Sequence, residues 1–313
     1  MRVLVTGATG FAGRWLVRDL EAAGHTTIPT PRRDELDLRD AQAVGAFVAT
    51  TAPDAIAHLA GIAYGPDARR APDDAFAVNA GGTRTILAAA EAIASDLPVL
   101  VVSSSEVYGA PRALDLPIAE SAPIRAEQPY GRSKVGLERA AADAAGRGVR
   151  RIAIGRPFNH TGPGQRLEFV VPALARRVID AARDGRSTIA AGNVDVRRDF
   201  ADVRDVARAY RLILEALARG ELASGPQPRV YNIATGRSTP IREIATAFGA
   251  LAGLDVGIEI DPALVRSDDP AEIRGDASRI ATDLGWRPTI PLEDTLRDVF
   301  ADVRARAPAP SRS

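Results

Sequence analysis

Three glycines at a regular spacing follow a short apolar segment at the start of the chain. Residues 6–13 have the sequence TGATGFAG, which places Gly7, Gly10 and Gly13 three residues apart. Gly7 permits a tight turn, Gly10 lets the backbone approach a pyrophosphate, and Gly13 allows a helix to pack closely on a strand. The free N–H groups and the positive end of that helix favour phosphate. The segment therefore predicts a strand, a phosphate-binding turn and a helix, as in dinucleotide-binding domains.

The first half of the chain alternates short apolar segments with longer amphipathic ones. We predict strands over residues 3–6, 26–29, 55–59, 99–103 and 151–154, and helices over 11–23, 41–50, 80–94 and 133–145. The strand segments are continuously apolar, as expected for parallel strands that are covered on both faces. This pattern predicts the α/β class, with a Rossmann-type doubly wound parallel sheet.

Proline and glycine punctuate the sequence beyond residue 156 and indicate a smaller, loop-rich α/β lobe. We assign residues 1–155 to the dinucleotide-binding domain and expect residues 198–218 to return to it. Residues 156–197 and 219–303 are assigned to a lobe that binds the substrate. Residues 304–313, RARAPAPSRS, are rich in Pro, Ser and Arg and are expected to form a disordered tail.

The composition excludes several other classes of protein. Forty basic residues balance forty acidic ones, so the chain lacks the broad positive field that binds nucleic acid non-specifically. There is no cysteine, and His25, His58 and His160 are far apart in sequence, so we expect no disulfide and no metal site. No apolar run approaches the roughly 18 residues of a membrane span. We expect a cytoplasmic protein that binds neither nucleic acid nor membrane.

The end of the second predicted strand bears on the choice of dinucleotide. An acidic residue there would hold the ribose 2′-hydroxyl of NAD. The sequence instead continues through Arg32 and Arg33, with no acid before Asp34. Two arginines favour a 2′-phosphate and hence NADP(H), with NAD(H) as the alternative. Asp37 and Leu38 are then placed to meet the adenine.

A tyrosine and the only lysine of the chain stand four residues apart in YGRSK. This spacing places Tyr130 and Lys134 on one face of a helix. A phenol titrates near pH 10, and a neighbouring ammonium would lower its pKa by favouring the phenolate. The fourth predicted strand ends just upstream in SSSEVYG (103–109), where a serine could orient a carbonyl oxygen that Tyr130 protonates. The sequence thus predicts an acid–base site at the edge of the sheet.

Several spaced motifs together resemble the extended short-chain dehydrogenases/reductases that act on sugar nucleotides. Besides those already described, they are HLAG (58–61), RPFN (156–159) and RRDFADVRD (197–205), so the resemblance spans nearly the whole chain. It implies that Ser104, Tyr130 and Lys134 form the catalytic triad, with Lys134 also binding the nicotinamide ribose. The full set of cofactor contacts that we predict is Gly7, Gly10, Phe11, Gly13, Arg32, Arg33, Asp37, Leu38, Leu59, Ala60, Gly61, Asn79, Tyr130, Lys134 and Pro157.

Motifs in the second half are similar to those of reductases that act on GDP-4-keto-6-deoxy-mannose. They are RPFNHTGPGQ (156–165), Gly192-Asn193, Gly275-Asp276 and LGWRP (284–288). The resemblance implies NAD(P)H-dependent reduction of the 4-keto group to GDP-6-deoxy-D-mannose (GDP-D-rhamnose), and a homodimer formed through helices 80–94 and 133–145. The implied substrate contacts are Ser104, Glu106, Asn159, Phe169, Val170, Arg198 and Arg266, with Asn159, Arg198 and Arg266 at the diphosphate.

Three alternatives stay open at this point. Glu106 occupies the position of the additional acid–base group in GDP-mannose 4,6-dehydratases, which also eliminate water across carbons 5 and 6. A 4-epimerase or a talose-forming 4-reductase of the same family would use the same triad, and the sequence leaves the configuration at carbon 4 open. A protein that binds NADP without turnover would not need the Tyr130–Lys134 pair, which argues against that class.

Overall fold

The computed structural model describes residues 1–222, 225–265 and 269–306. Its strands are β1 (Arg2–Thr6), β2 (Thr26–Pro29), β3 (Ala55–His58), β4 (Val99–Val102), β5 (Ile152–Pro157), β6 (Asn159–Thr161), β7 (Thr188–Ala191), β8 (Arg197–Arg198), β9 (Phe200–Asp202), β10 (Arg229–Ile233), β11 (Thr239–Pro240), β12 (Gly257–Ile260) and β13 (Glu272–Ile273). Its α-helices are α1 (Phe11–Ala22), α2 (Ala41–Thr51), α3 (Gly65–Arg70), α4 (Pro72–Phe76), α5 (Gly82–Ile93), α6 (Pro129–Arg147), α7 (Val170–Arg183), α8 (Val203–Arg219), α9 (Ile241–Ala252), α10 (Ser278–Leu284) and α11 (Leu292–Arg306). A π-helical turn, Ala77–Gly81, precedes α5.

Six parallel strands form the central sheet in the order β10-β5-β4-β3-β1-β2. All the predicted strands and helices of the first half are present, with ends that differ by a few residues. The chain passes from β1 to β2 on one side and returns to β3 on the other, so the strand order reverses between β1 and β3. Ligands bind beyond the carboxyl ends of strands at such a point. The predicted Rossmann-type α/β fold is confirmed.

Different helices cover the two faces of the sheet. Alternate residues of a strand point to opposite faces, so Val3 and Val5 join one core while Leu4 joins the other. The first core contains residues of α1 and α8, and the second contains residues of α2, α5 and α6. Burial on both faces explains why the strand segments are continuously apolar.

A third core lies outside the central sheet and belongs to the smaller lobe. It is formed by the apolar faces of α7, α9 and α11 together with β7. Two short sheets adjoin it, one of β12 and β7 and one of β11, β8 and β13. The lobe is therefore built from short strands, three helices and connecting loops, as its sequence indicates.

Two parts of the predicted domain division are wrong. The division places residues 219–303 in the second lobe, but β10 pairs with β5 in the central sheet, and Trp286 is buried in the core under α1 and α8. Pairing with β10 satisfies backbone groups of β5 that would otherwise lie on an open edge. The division also starts a tail at residue 304, whereas α11 continues to Arg306, and residues 307–313 lie outside the described residues.

Asp199, within the RRDF motif, links the second lobe to the central sheet through hydrogen bonds. Its fully buried carboxylate accepts hydrogen bonds from the N–H groups of Thr235, Gly236 and Gly275 at 2.8, 3.0 and 3.2 Å. Burial raises the pKa of Asp199, and these hydrogen bonds act against the rise. These hydrogen bonds hold the turns after β10 and β13 beside β8 and β9. The turns and strands held in this way form one side of a cleft between the sheet and the second lobe.

Candidate active site

A cleft of about 1080 Å³ lies beyond the carboxyl ends of the central strands, where the sheet meets the second lobe. The predicted site residues that line it are Gly7, Gly10, Phe11, Gly13, Arg32, Arg33, Asp37, Leu38, Leu59, Ala60, Gly61, Ser104, Glu106, Tyr130, Lys134, Pro157, Asn159, Phe169, Val170 and Arg198. Two predicted residues are not among them: Asn79, which is fully buried, and Arg266, which lies outside the described residues. The distant motifs thus share one cavity, while their individual roles stay predictions.

The glycine-rich turn forms the wall of the cleft at β1. Gly7 has a φ of 71°, a conformation that residues with side chains rarely adopt, and its carbonyl accepts a hydrogen bond from Gly10 N–H at 2.9 Å. A Cβ at Gly13 would lie 2.0 Å from the same carbonyl oxygen, so the first turn of α1 packs directly on the loop. Gly10 caps α1 without a side-chain hydrogen bond, which leaves the first N–H groups of the helix available to an anion in the cleft.

Buried hydrogen bonds hold the neighbouring wall. Thr6 Oγ1 accepts from the N–H groups of Leu59 and Ala60, both at 3.1 Å. His58 lies between two threonines, with Nδ1 2.8 Å from Thr6 Oγ1 and Nε2 3.1 Å from Thr83 Oγ1. Burial is the main cause that lowers the pKa of His58 to about 3. The neutral ring is therefore a structural bridge between β1, β3 and α5.

Asn79 is fully buried behind the cleft and makes three hydrogen bonds within the protein. Its Oδ1 accepts from Ile62 N–H at 2.8 Å, and its Nδ2 donates to the Ile62 carbonyl at 3.1 Å and to Ser133 Oγ at 2.8 Å. A Cβ at Gly61 would lie 2.5 Å from Asn79 Oδ1. The amide thus positions the loop after β3 against α6, and the predicted contact of Asn79 with the cofactor stays a prediction.

The residues predicted to select the dinucleotide lie on the exposed rim of the cleft. Arg33 Nη2 is 3.2 Å from Asp74, and the Arg33 side chain is 54% exposed. Asp37 accepts hydrogen bonds from the Arg39 side chain. These hydrogen bonds are the main reason that the pKa of Asp37 falls to about 2. Asp37 is thus ionised and engaged with a neighbour. Arg32 and Arg33 are both exposed and line the cleft.

Ser104 and Tyr130 meet at the carboxyl end of β4. Ser104 Oγ accepts from Glu106 N–H at 3.2 Å. Burial raises the pKa of Tyr130 to about 12; the neighbouring Ser104 hydroxyl acts against this rise, and the charge of Glu106 adds to it. The expected lowering of the tyrosine pKa is therefore wrong for this structure, because desolvation of the phenolate outweighs the stabilising contacts.

Lys134 lies one turn further along α6 and lines the same cleft. It is only 4% exposed, its Nζ donates to the Val102 carbonyl at 2.9 Å, and that nitrogen is 5.9 Å from the centre of the Tyr130 ring. Burial lowers the pKa of Lys134 to about 8, while the negative charge of Glu138 acts in the opposite direction. The amine is thus held by β4 beside the tyrosine.

Sequence reasoning missed a buried ion pair behind the site. Arg156 of β5 donates from Nε and Nη2 to the two carboxylate oxygens of Glu138 in α6, at 2.8 and 2.6 Å. Glu138 Oε1 also accepts from Ser103 Oγ at 2.6 Å, and Arg156 Nη1 donates to the Tyr108 hydroxyl at 2.9 Å. The pair therefore holds the segment that carries Ser104. Glu138 stands one helical turn after the lysine of YGRSK, and this spacing was the signal that could have located it.

The second lobe supplies the opposite wall, with Arg198 as its buried cation. Arg198 is 7% exposed; its Nη2 is paired with Asp269, and its Nη1 donates to the Pro270 carbonyl at 2.8 Å. Asp269 lines the cleft beside it and was not predicted from the sequence. Asn159, at the start of β6, lines the same cleft. The predicted diphosphate residues of the described chain therefore face the cavity, with a carboxylate already on the arginine.

Aromatic and apolar side chains line the cleft beside α7. The rings of Phe169 and Tyr64 lie 5.1 Å apart, and the Tyr64 hydroxyl donates to the Glu168 carbonyl at 3.2 Å. Val170 is 41% exposed at the first residue of α7. This part of the cleft thus offers apolar contact surface in the cavity that Arg198 also lines.

Within residues 1–222, 225–265 and 269–306, no group of three or more His, Asp or Glu side chains could hold a metal ion. In the same part of the chain, no helix is both long enough and apolar enough to cross a bilayer.

The fold, the glycine-rich turn and the serine, tyrosine and lysine in one cleft define a dinucleotide-dependent enzyme of the Rossmann type. Comparison with known families agrees. The chain belongs to the NAD dependent epimerase/dehydratase family, whose model matches residues 3–234.

Several characterised relatives are similar over nearly the full length. The chain is 34% identical to GDP-6-deoxy-D-mannose reductase of Pseudomonas aeruginosa over 97% of this chain and 98% of that protein. It is 30% identical to GDP-6-deoxy-D-talose 4-dehydrogenase of Aggregatibacter actinomycetemcomitans over 91% and 92% of the two chains. Among solved structures, RMD from P. aeruginosa complexed with NADPH has a TM-score of 0.87 at 33% identity, covering 98% of this chain and 99% of that one. UDP-glucose-4-epimerase from Stenotrophomonas maltophila with bound NAD has a TM-score of 0.84 at 27% identity, covering 98% of each chain.

Proposed function

We propose that the protein is a reductase that uses NADPH to convert GDP-4-keto-6-deoxy-D-mannose into GDP-6-deoxy-D-mannose, which is GDP-D-rhamnose. The observation that carries the proposal is the 34% identity to GDP-6-deoxy-D-mannose reductase over 97% of the chain. The cleft supports it, since Ser104, Tyr130 and Lys134 all line one cavity. A protein that only sensed NADP would not need this set.

The cleft suits a dinucleotide that carries an additional phosphate. The close approach of Gly13 to the loop and the uncapped start of α1 leave N–H groups for a pyrophosphate. Arg32 and Arg33 would bind a 2′-phosphate, and Lys134 would bind the nicotinamide ribose. RMD from P. aeruginosa is complexed with NADPH, whereas the epimerase from S. maltophila holds NAD. We therefore propose NADPH as the preferred cofactor and NADH as the alternative.

Tyr130 acts as the proton donor in the proposed reaction. The cofactor, when bound, supplies hydride to the carbonyl carbon at position 4. Tyr130 gives its phenolic proton to the carbonyl oxygen, and Ser104 donates a hydrogen bond to the same oxygen as negative charge develops. A pKa of about 12 keeps Tyr130 protonated before the reaction. The Lys134 ammonium then favours the phenolate that Tyr130 becomes.

The second lobe would bind the nucleotide diphosphate. Arg198 and Asn159 line the cleft, and an arginine fork matches phosphate oxygens. A diphosphate would compete with Asp269 for Arg198, since both are anions. Phe169 and Val170 would contact the substrate beside α7. We keep Arg266, outside the described residues, as a second cation for the diphosphate.

One comparison with purified protein tests the proposed activity. The enzyme is given GDP-4-keto-6-deoxy-D-mannose with NADPH or NADH, and separately GDP-mannose alone. We expect oxidation of NADPH in the first assay, faster than that of NADH, and no product in the second. A 4-keto sugar formed from GDP-mannose would contradict the proposal. Identification of the product sugar separates rhamnose from talose, the sugar named for the A. actinomycetemcomitans relative.

GDP-mannose 4,6-dehydratase activity is the second candidate, and Glu106 is the observation that favours it. Glu106 lines the cleft, and its charge raises the pKa of Tyr130, so the carboxylate lies near the phenol. A dehydratase needs such a group to move a proton between carbon 5 and the departing water at carbon 6. Glu106→Gln distinguishes the two: it would abolish dehydration, whereas a reductase would lose one substrate contact but keep its triad and continue to turn over.

We further propose a homodimer formed through α5 and α6, working in the cytoplasm. Phe76 is 46% exposed and Ile93 is 40% exposed, and a Cβ at Gly136 of α6 would lie 2.7 Å from the Phe76 ring. Apolar surface is therefore available on this side for a second copy. Sedimentation should give twice the mass of one chain, and a single-chain mass at micromolar concentration would reject the dimer. The cytoplasm is proposed because the substrate and NADPH carry charged phosphates, which do not cross membranes unaided.

A further inference from the structure

We propose that the Tyr210 hydroxyl binds the carboxamide of the nicotinamide ring, a contact that neither the glycine loop nor the triad supplies. Tyr210 is fully buried, and its hydroxyl is one of two buried side-chain polar atoms in the described residues without a hydrogen-bond partner. An unpaired buried hydroxyl destabilises a fold, and phenylalanine would fill the same space without that cost. The hydroxyl therefore points to a partner that the folded chain does not itself provide.

Tyr210 approaches the cleft from the face of the central sheet that α8 covers. It lines the cleft and belongs to α8, which begins directly after β9. Because β9 pairs with β6, and Asn159 of β6 lines the cleft, the first turn of α8 lies at the cleft end of the helix. Side chains of a helix lean toward its N-terminus, so Tyr210 leans toward the cleft.

The ring of Tyr210 lies under β5, which ends at Pro157, the residue that the family resemblance places beside the nicotinamide. A Cβ at Gly155 of β5 would lie 3.4 Å from Tyr210 Cε1. Two residues further along β5, Pro157 lines the cleft, and so does Val102 of β4. The wall beside Tyr210 is otherwise apolar at these positions. The carboxamide is the polar substituent of the pyridine ring, so it needs a partner in that wall.

The charge state of Tyr210 suits a neutral contact. Burial raises the pKa of Tyr210, and the negative charge of an ionised Tyr130 raises it further, which places the two phenols within electrostatic reach of each other. Tyr210 therefore stays a neutral hydroxyl at working pH. It can donate to the carboxamide oxygen or accept from the amide nitrogen without adding charge beside the reacting carbonyl.

Tyr210→Phe and the matched variant Tyr231→Phe test the proposal. Tyr231 is also fully buried, but its hydroxyl donates to Asp283 at 2.9 Å, so its loss removes a satisfied hydrogen bond. We expect Tyr210→Phe to raise the midpoint of thermal unfolding without ligand by about 2 °C or more, and Tyr231→Phe to lower it. Dissociation constants are measured for NADPH and for 2′-phospho-ADP-ribose, which lacks the nicotinamide. Tyr210→Phe should bind NADPH about tenfold more weakly and 2′-phospho-ADP-ribose as tightly as the wild type does.

Three results would overturn the inference. An unchanged NADPH affinity in Tyr210→Phe would mean that the Tyr210 hydroxyl bonds to an ordered water rather than to the carboxamide. Equal weakening of the binding of both ligands would indicate general damage to the cleft. A Tyr210→Phe protein that fails to fold would also contradict it, because the hydroxyl has no partner within the fold. The inference rests on the cofactor part of the proposed function. Both fail if the wild type binds neither ligand, whereas only the inference fails if the wild type binds both and Tyr210→Phe keeps its NADPH affinity.

Discussion

Tyr130 and Lys134 are both enclosed by protein, and this burial shifts each pKa in the direction that favours the neutral form of the side chain. Burial raises the pKa of Tyr130 to about 12 and lowers that of Lys134 to about 8. A protonated phenol is what a proton donor needs before the reaction, and the nearby ammonium favours the phenolate after it. At the scale of single residues, Tyr130 therefore holds the proton that the proposed reduction consumes.

His58 gives a prediction about acid stability. Its pKa falls from 6.5 to about 3 in the folded protein. Below about pH 6.5 the unfolded chain binds a proton on His58 and the folded chain does not, so stability is fully present above that pH and is lost as the pH falls toward 3. From pH 7 to pH 5 this loss is about 2 kcal/mol.

The variant His58→Asn should remove that part of the acid sensitivity. We expect its free energy of unfolding to fall by about 2 kcal/mol less than that of the wild type between pH 7 and pH 5. Urea unfolding at the two pH values measures the difference. Identical pH dependence in the two proteins would mean that His58 is not held neutral.

At the scale of elements, the contact of α1 with the glycine loop predicts the effect of Gly13→Ala. The new Cβ would lie 2.0 Å from the Gly7 carbonyl oxygen, so the helix start must move away from the loop. We expect NADPH affinity to fall about tenfold or more and the free energy of unfolding to fall by about 1–3 kcal/mol. Equilibrium binding and urea unfolding measure the two effects.

Gly45→Ala is the matched control for that variant. Gly45 lies inside α2, and apart from its chain neighbours and the backbone of its own helix no atom lies within 4 Å of its Cβ position. The substitution should leave NADPH affinity unchanged and stabilise the fold by about 0.5–1 kcal/mol, because alanine favours a helix. If Gly13→Ala bound NADPH as tightly as Gly45→Ala did, the glycine loop would not be the pyrophosphate site.

The ion pair between α6 and β5 predicts a large loss of stability in Glu138→Gln. The Arg156 and Glu138 side chains are 6% and 12% exposed, so the variant would leave a buried guanidinium without its counter-charge. We expect the free energy of unfolding to fall by about 3 kcal/mol. Glu91→Gln removes the exposed pair of Glu91 with Arg147, at 3.3 Å, and should cost less than about 1 kcal/mol. Similar losses in both variants would show that burial does not set the strength of the Glu138 pair.

The strands and helices of the first half could be predicted because their signals are local. β1, the turn at Gly7 and α1 follow one another within a few residues, and each carries its own pattern. The pairing of Arg156 with Glu138 depends instead on where β5 meets α6, which neither segment encodes alone. The raised pKa of Tyr130 likewise depends on enclosure by the whole cleft, and spacing in sequence does not measure enclosure.

At the scale of the whole molecule, the order of distant segments was the hardest to predict. β10 enters the central sheet after the chain has already built much of the second lobe, so its sequence position suggests the wrong neighbour. Arg198 was predicted to face the cleft, and it does, but Asp269 lies 71 residues later and binds it. Motifs could assemble the site residue by residue, whereas their charged neighbours required the three-dimensional fold.

Cofactor choice is a property of the folded molecule and predicts a difference in thermal stability. A ligand at a hundred times its dissociation constant stabilises the folded state by about 2.7 kcal/mol. At equal concentration we expect NADPH to raise the unfolding midpoint more than NADH does. Replacing Arg32 and Arg33 together by alanine should weaken the binding of NADPH, because the 2′-phosphate loses its cations. NADPH and NADH should then raise the unfolding midpoint equally.

A second double variant controls for the loss of two charges. Arg242 and Arg297 are 50% and 62% exposed, pair with acidic neighbours and do not line the cleft. Replacing both by alanine should keep the preference for NADPH. If the Arg32 and Arg33 variant kept it as well, these two arginines would not select the cofactor.

In the proposed reaction, hydride passes from NADPH to carbon 4 of the sugar while Tyr130 supplies the proton. NADPH deuterated at the transferred position of its nicotinamide, given with GDP-4-keto-6-deoxy-D-mannose, follows the hydride into the product. We expect one deuterium at carbon 4 of GDP-6-deoxy-D-mannose, and a turnover rate about 10²–10⁴-fold lower in Tyr130→Phe, with NADPH still bound. Product without deuterium at carbon 4, or a Tyr130→Phe enzyme as fast as the wild type, would contradict the account.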